Sequence, residues 1–184
     1  MAEWMDEEME RLYEEHGEKQ LERSEDPFED LLVSIINQQL STQSAEAIRE
    51  RFFENFERTP EKILEADEDE LSDVGLSSQK VDYMKSAAER FIEDDLSAEG
   101  FSNMSDEEVI EELTEIHGIG EWTAKMFLIT VLGREDVFPV EDLGIRKAME
   151  NIYGLESRDE MREKASEWKP KRSLASLYLW ESLG

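Results

Sequence analysis

The chain has 184 residues, 48 acidic against 20 basic, a formal net charge of −28 and no cysteine. That length suits one large domain or two small lobes with a real core. The missing cysteines exclude disulfides, thiolate nucleophiles, cysteine zinc sites and iron–sulfur clusters, and His16 and His117 are too few imidazoles for a histidine metal site.

The N-terminal stretch MAEWMDEEMERLYEEHGEKQ is acidic and lacks the basic-then-apolar order of a secretory signal. No apolar run approaches the length of a membrane span. The expectation is a cytoplasmic, intracellular protein that works as a monomer. Its acids interleave with apolar residues at helical spacing, which predicts a folded acidic surface rather than a disordered tail. The pattern resembles cytosolic proteins of salt-accumulating halophiles. Taken alone, such a charge argues against a nucleic-acid partner.

In chain order, FEDLLVSII (28–36) predicts a short apolar helix that breaks at Asn37-Gln38-Gln39. A second helix, capped near Ser41, carries Ala45, Ile48, Phe52 and Phe53. Thr59-Pro60 marks another start, with proline at the first helical position. Asp67…Glu70, Ser105…Glu108 and Ser157…Glu160 have capping-box spacing. Residues 79–92 form an amphipathic helix with Val81, Met84, Ala87, Ala88 and Phe91 inward, and 172–183 put Leu174, Leu177, Tyr178 and Trp180 at helical spacing. The class is all-α, with roughly ten short helices and no strand signal.

The most informative run is LTEIHGIGEWTAKMFLITVLG (113–133), followed by VFPVEDLGIRK (137–147). It reads as helix, glycine hairpin, helix, then a loop that delivers Asp142 to the start of another helix. Gly118-Ile119-Gly120 could be an ordinary helix end. The immediate restart at Glu121 points instead to a hairpin whose Gly118, Gly120 and Thr123 amides grip a phosphate without a basic side chain. Asp142 could be a plain N-cap. It could also be a carboxylate anion, favoured by the helix dipole, beside a reacting sugar. Glu141 competes for that role by proximity. Trp122 and Trp180 are either core or stacking platforms for a flat ring. The amides of Gln38 and Gln39 suit a loop, or a probe that fills a gap in a base stack.

Together these pieces resemble the helix–hairpin–helix DNA glycosylase superfamily, and most closely its alkylation-repair (3-methyladenine) branch. The resemblance runs from Phe28 to the C-terminus through IINQQLS (35–41), IHGIGEWTA (116–124), FPVEDLGIR (138–146) and WKPKRSLASLYLW (168–180). It implies a two-lobed all-α fold. One lobe of six helices spans 28–135 and ends in the hairpin; the other comprises 1–27 and 136–184 and carries the acid. The resemblance makes Asp142 the catalytic aspartate, and Trp122, Trp180 and Met126 the pocket residues. Gln38, Gln39, Gly118, Gly120 and Thr123 become DNA contacts, with Gln39 as the wedge. Trp168, Pro170 and Arg172 brace the pocket. No cofactor is required, though family hairpins hold a structural Na+ or K+ on main-chain carbonyls, matching Thr114, Ile116 and Ile119 here.

Bifunctional relatives carry a Schiff-base lysine directly before the Thr-Ala of the hairpin. Trp122 stands there, with Lys125 three residues on, so the resemblance implies monofunctional hydrolytic excision without a lyase step. The implied partner is double-stranded DNA with a damaged base, and the implied substrates are alkylated purines of the 3-methyladenine and 7-methylguanine class. The alternatives are a non-catalytic hairpin module that binds DNA or protein, and a glycosylase for another lesion such as uracil. His117 stands where proline is common, which predicts a slightly looser hairpin. Lys125, Arg146, Lys147, Lys169, Lys171 and Arg172 gather near these motifs and predict a less acidic DNA face.

Overall fold

Among the residues described in a computed structural model, 3–94 and 96–184, regular structure consists of twelve α-helices and no strand. They are α1 (Glu7–His16), α2 (Pro27–Asn37), α3 (Thr42–Asn55), α4 (Pro60–Glu65), α5 (Glu68–Asp73), α6 (Ser78–Glu93), α7 (Ala98–Ser102), α8 (Asp106–Thr114), α9 (Glu121–Thr130), α10 (Leu143–Tyr153), α11 (Arg158–Ser166) and α12 (Arg172–Glu181). None is long and apolar enough to cross a membrane.

The starts are set by local chemistry. Ser41, Thr59 and Ser77 each accept a bond from the amide three residues on. Ser105 and Ser157 form reciprocal capping boxes with Glu108 and Glu160. Asp67 instead takes the amides of both Asp69 and Glu70 on one oxygen.

The chain packs as two units. A continuous unit comprises Ser24–Phe127; a split unit joins residues up to Arg23 with Leu128–Gly184. The sequence predicts divisions at 27/28 and 135/136. The packing sets them at 23/24 and 127/128, so α9 contributes to both units.

In the continuous unit α6 packs against α2, α4 and α5. Its inward face is the one that periodicity predicts: Val81, Met84, Ala87, Ala88 and Phe91, all buried. Phe28, Phe91, Phe101 and Phe127 form a row with successive ring centroids 5.1, 5.9 and 5.4 Å apart. That row ties α2, α6, α7 and α9 together. Lys85 on α6 donates to the carbonyls of Leu64 and Ala66, closing the C-terminus of α4.

The core of the split unit is built from α1, α10, α11, α12 and the loop before α10, around Met9, Leu12, Phe138, Met149, Trp168 and Tyr178. The N-terminal acidic stretch therefore supplies core residues. Asp6 caps α1 through the Met9 amide (2.9 Å) and also accepts from Trp168 Nε1 (3.0 Å) and the Tyr153 hydroxyl (3.0 Å). Lys164 Nζ lies 2.9 Å from the same carboxylate, whose side chain is 23% exposed. Burial raises the Asp6 carboxyl, but Lys164, the Met9 amide, Trp168 and Tyr153 outweigh it and hold it below the usual carboxylate range. The same contact, together with burial, pushes the Tyr153 hydroxyl well above its ordinary value.

A lowered folded pKa fixes the sign of the pH dependence. The contribution of Asp6 is complete above the unfolded value near pH 4, and it is lost as pH falls through the lower folded value. Asp6→Asn should cost roughly 1–3 kcal/mol at pH 7. Thermal melts from pH 7 downward should show the gap to wild type closing only below about pH 4.

Candidate active site

Two constellations carry the residues singled out by sequence, one in each unit. In the split unit, the stretch from Arg134 to Asp142 is fastened to the N-terminus of α12. Arg172 forks onto Asp136, with Nε to Oδ1 at 2.7 Å and Nη2 to Oδ2 at 3.0 Å, and also reaches the Asp136 carbonyl at 2.9 Å. Ser173 gives its amide to the Glu135 carbonyl (3.0 Å), and its hydroxyl accepts from the Val137 amide (3.0 Å). Val137, Phe138 and Val140 are buried, and a turn closed by the Asp142 amide on the Pro139 carbonyl (2.9 Å) presents Asp142.

Asp142 is the N-cap of α10, and its Oδ2 accepts from the Ile145 amide at 2.8 Å. The same oxygen accepts from Trp180 Nε1 at 3.0 Å. Two donors converging on one oxygen fix the carboxylate plane, and an indole donor is not part of an ordinary cap. A Cβ at Gly144 would stand 3.0 Å from that Oδ2 and 3.3 Å from Trp180 Cδ1. Glycine thus lets the indole approach. Glu141 lies 3.9 Å from Arg162, while the cap of α10 is Asp142. Trp180, expected as a pocket aromatic, is a hydrogen-bond donor to Asp142. Trp168 is wholly buried and donates to Asp6, and Arg172 ties the start of α12 to Asp136.

In the continuous unit, α8 ends at Thr114 and the chain turns through Ile116–Gly120 into α9. The turn is closed by the Ile119 amide on the Ile116 carbonyl (3.1 Å), and the Gly120 carbonyl accepts the first bond of α9, from Ala124 (3.0 Å). Gly118 has φ +87°, and a Cβ there would overlap the Tyr83 ring. A Cβ on Gly120 would meet nothing within 4 Å. The two glycines therefore differ. Gly118 is demanded by the fold, whereas Gly120 leaves its backbone open to approach from outside.

His117, expected to loosen this hairpin slightly, meets three residues of α6. Its Nδ1 lies 2.6 Å from Asp82, its amide donates to Ser86 Oγ (3.1 Å), and its ring meets the Tyr83 edge at 5.2 Å. These three partners tie the hairpin to α6. Gln38 Nε2 donates to the Gly118 carbonyl (3.3 Å), so one predicted DNA contact is instead turned onto the hairpin. Gln39 is exposed and holds a left-handed backbone, φ +56°.

Trp122 is 44% exposed at the start of α9, with Met126 one turn along the same side. Thr123, expected as a DNA contact, is buried. Thr114 ends α8, at the negative end of its dipole, and Ile116 and Ile119 lie in the turn that leads to α9. Their carbonyls suit a monovalent cation chemically, although that of Ile116 already accepts one bond. Among the described residues no cluster of His, Asp and Glu could hold a metal.

The expected basic face is weaker than its residues suggest. Lys125 pairs with Glu121 (2.8 Å), Lys171 with Glu135 (2.7 Å) and Arg172 with Asp136. Acids one helical turn back or across the loop neutralise them within their own units.

The family model described as HhH-GPD superfamily base excision DNA repair protein matches residues 32–171. A putative DNA-3-methyladenine glycosylase of Bacillus subtilis is 33% identical over 94% of this chain; the chain spans 64% of that relative's length. The solved 3-methyladenine DNA glycosylase of Schizosaccharomyces pombe, in complex with abasic DNA, is 34% identical. It superposes with a TM-score of 0.83 over 97% of this chain and 92% of that one. A DNA-3-methyladenine glycosidase from Bacillus halodurans gives a TM-score of 0.87 at 33% identity, covering 97% of this chain and 85% of that chain.

The unequal glycines give a prediction. Gly118→Ala should destabilise the protein by roughly 2–4 kcal/mol, from the left-handed backbone and the Tyr83 overlap. Gly120→Ala should cost about 1 kcal/mol or less, as a change of cap residue. Thermal denaturation of the two variants measures the difference.

Proposed function

The chain belongs to the HhH-GPD superfamily of base excision DNA repair proteins, and from that premise we propose that it is a monofunctional DNA glycosylase for alkylated purines of the 3-methyladenine and 7-methylguanine class. The observation that carries the reading is the Asp142 carboxylate, whose Oδ2 is held by both the Ile145 amide and the Trp180 indole. Such a group is fixed before substrate arrives, so little reorganisation is needed as charge develops.

The reaction breaks the bond between the sugar C1′ and the base nitrogen. The bonding electron pair leaves with the base, and the sugar becomes an oxocarbenium-like cation. Alkylation at a ring nitrogen makes the base cationic beforehand, so it departs neutral. Asp142 stabilises the cationic sugar, and water adds at C1′ with loss of a proton, leaving an abasic site. The target must leave the base stack to be reached. Trp122 offers an electron-rich face to a cationic base, worth about 0.5–2 kcal/mol per desolvated contact. Trp122 also occupies the position of the Schiff-base lysine of bifunctional relatives, which supports simple hydrolysis without strand cleavage.

DNA binding by a chain of net charge −28 needs short-range donors more than a basic surface. Gly118 and Gly120 amides at the start of α9 supply them, and a Na+ or K+ on the Thr114, Ile116 and Ile119 carbonyls would steady the turn. At about 1 M salt the Debye length is near 3 Å, which would silence most repulsion from the acids. The acidic surface therefore suits a protein that acts as a monomer in a salt-rich cell interior.

A duplex with one 7-methylguanine, incubated with the protein, should break only after heating in alkali. Asp142→Asn should abolish this release while retaining duplex affinity, with a shallow decline of that affinity across a salt series. Breakage before alkali would reveal a lyase, and no breakage from a panel of lesions would leave a binding module. Near-normal turnover by the Asn variant would remove Asp142 from the chemistry.

A further inference from the structure

We propose that Lys80 is a positioning residue that locks the Gln39 loop for base extrusion, with α6 serving as a common mount for that loop and the hairpin. The proposal rests on the glycosylase reading.

The Gln39 loop has few restraints of its own. After α2 ends at Asn37, the Gln38 amide reaches the Ile35 carbonyl at 3.3 Å and the Leu40 amide reaches the Asn37 carbonyl at 3.4 Å, both long. Gln39 then adopts the left-handed backbone, which a residue other than glycine holds only when its surroundings impose it. Lys80 Nζ donates to the Ile36 carbonyl at 2.6 Å, across 44 residues of sequence. This is a charged bond on one of the terminal carbonyls that the helix itself leaves unused. Burial lowers the Lys80 pKa, as expected of an ammonium drawn partly out of water for this contact.

Farther along α6, Tyr83 lies under Gly118, while Asp82 and Ser86 hold His117. Gln38 closes the circuit from the loop to the Gly118 carbonyl. One helix therefore sets both the turn that presents Gln39 and the turn that presents the Gly118 and Gly120 amides. A residue pushed into a base stack is loaded by the stack it displaces. Its backbone must resist that load, and the charged bond from Lys80 is the shortest of those restraining the loop.

The role predicts a dependence on whether the lesion must be extruded. Unpairing and unstacking cost least for a base that has no partner. Lys80→Met keeps the apolar stem and removes the donors. Single-turnover release of 7-methylguanine should fall about tenfold or more when the lesion is paired with cytosine in a duplex, and less than about twofold when it faces an abasic analogue. Lys80→Arg, which keeps a charged donor, should restore most of the paired-substrate rate. Equal slowing on both substrates would make Lys80 merely structural, and unchanged release from the paired duplex would remove it from extrusion. Either result overturns the proposal. Wild-type protein that releases base from neither substrate would instead defeat the glycosylase reading.

Discussion

Two N–H groups meet on one oxygen of Asp142, and the proposed chemistry of the split unit depends on that meeting. The Ile145 amide is placed by α10, whose first turn follows directly from the cap. The Trp180 indole comes from α12, 38 residues further along the chain. Both helices must therefore keep their register for the carboxylate to keep its plane. The fork of Arg172 on Asp136 and the Ser173 bonds to Glu135 and Val137 fasten α12 to the loop that ends in Asp142. In the same unit, Asp6 gathers α1, Tyr153, Lys164 and Trp168. Gly144 leaves the space in which the indole reaches the acid.

In the proposed function the continuous unit has a different task, which is to present backbone rather than charge. A protein this acidic gains little from counterion release, and three of its expected surface cations are already paired. Hairpin amides need no net charge, but they do need a rigid turn. Tyr83, Asp82 and Ser86 provide it from α6, whose other face is the apolar side of the core. The same helix thus joins packing to presentation. Acidity, which first argues against nucleic acid, is compatible with it if the grip is made of dipoles, as the proposed function requires.

Local chemistry was readable from sequence because caps, turns and helix faces depend on residues three or four positions apart. Ser41, Thr59 and Ser105 open helices as their types predict, and the α6 face is the one that periodicity gives. Asp142 opens α10 as a residue placed after a turn and before an apolar helix is expected to. What escaped depends on long-range contact. Nothing in the spacing indicates that the Trp180 N–H points at Asp142, or that Lys80 reaches the end of α2. His117 looked like a weakness because its partners on α6 lie more than thirty residues away. The acidic N-terminus hid Met9 and Leu12, which are core residues. Lone basic residues looked available because ion pairs are invisible in a count of charges.

The central claim is that the Asp142 carboxylate stabilises positive charge on the sugar. Binding of two abasic duplexes tests it directly, one with a cationic pyrrolidine in place of the sugar and one with neutral tetrahydrofuran. An enzyme complementary to its transition state binds the charged mimic about a hundredfold tighter or more. The account predicts that preference in the wild type and its loss in Asp142→Asn. Equal affinity for the two duplexes in the wild type, or a preference that survives in the Asn variant, would contradict it.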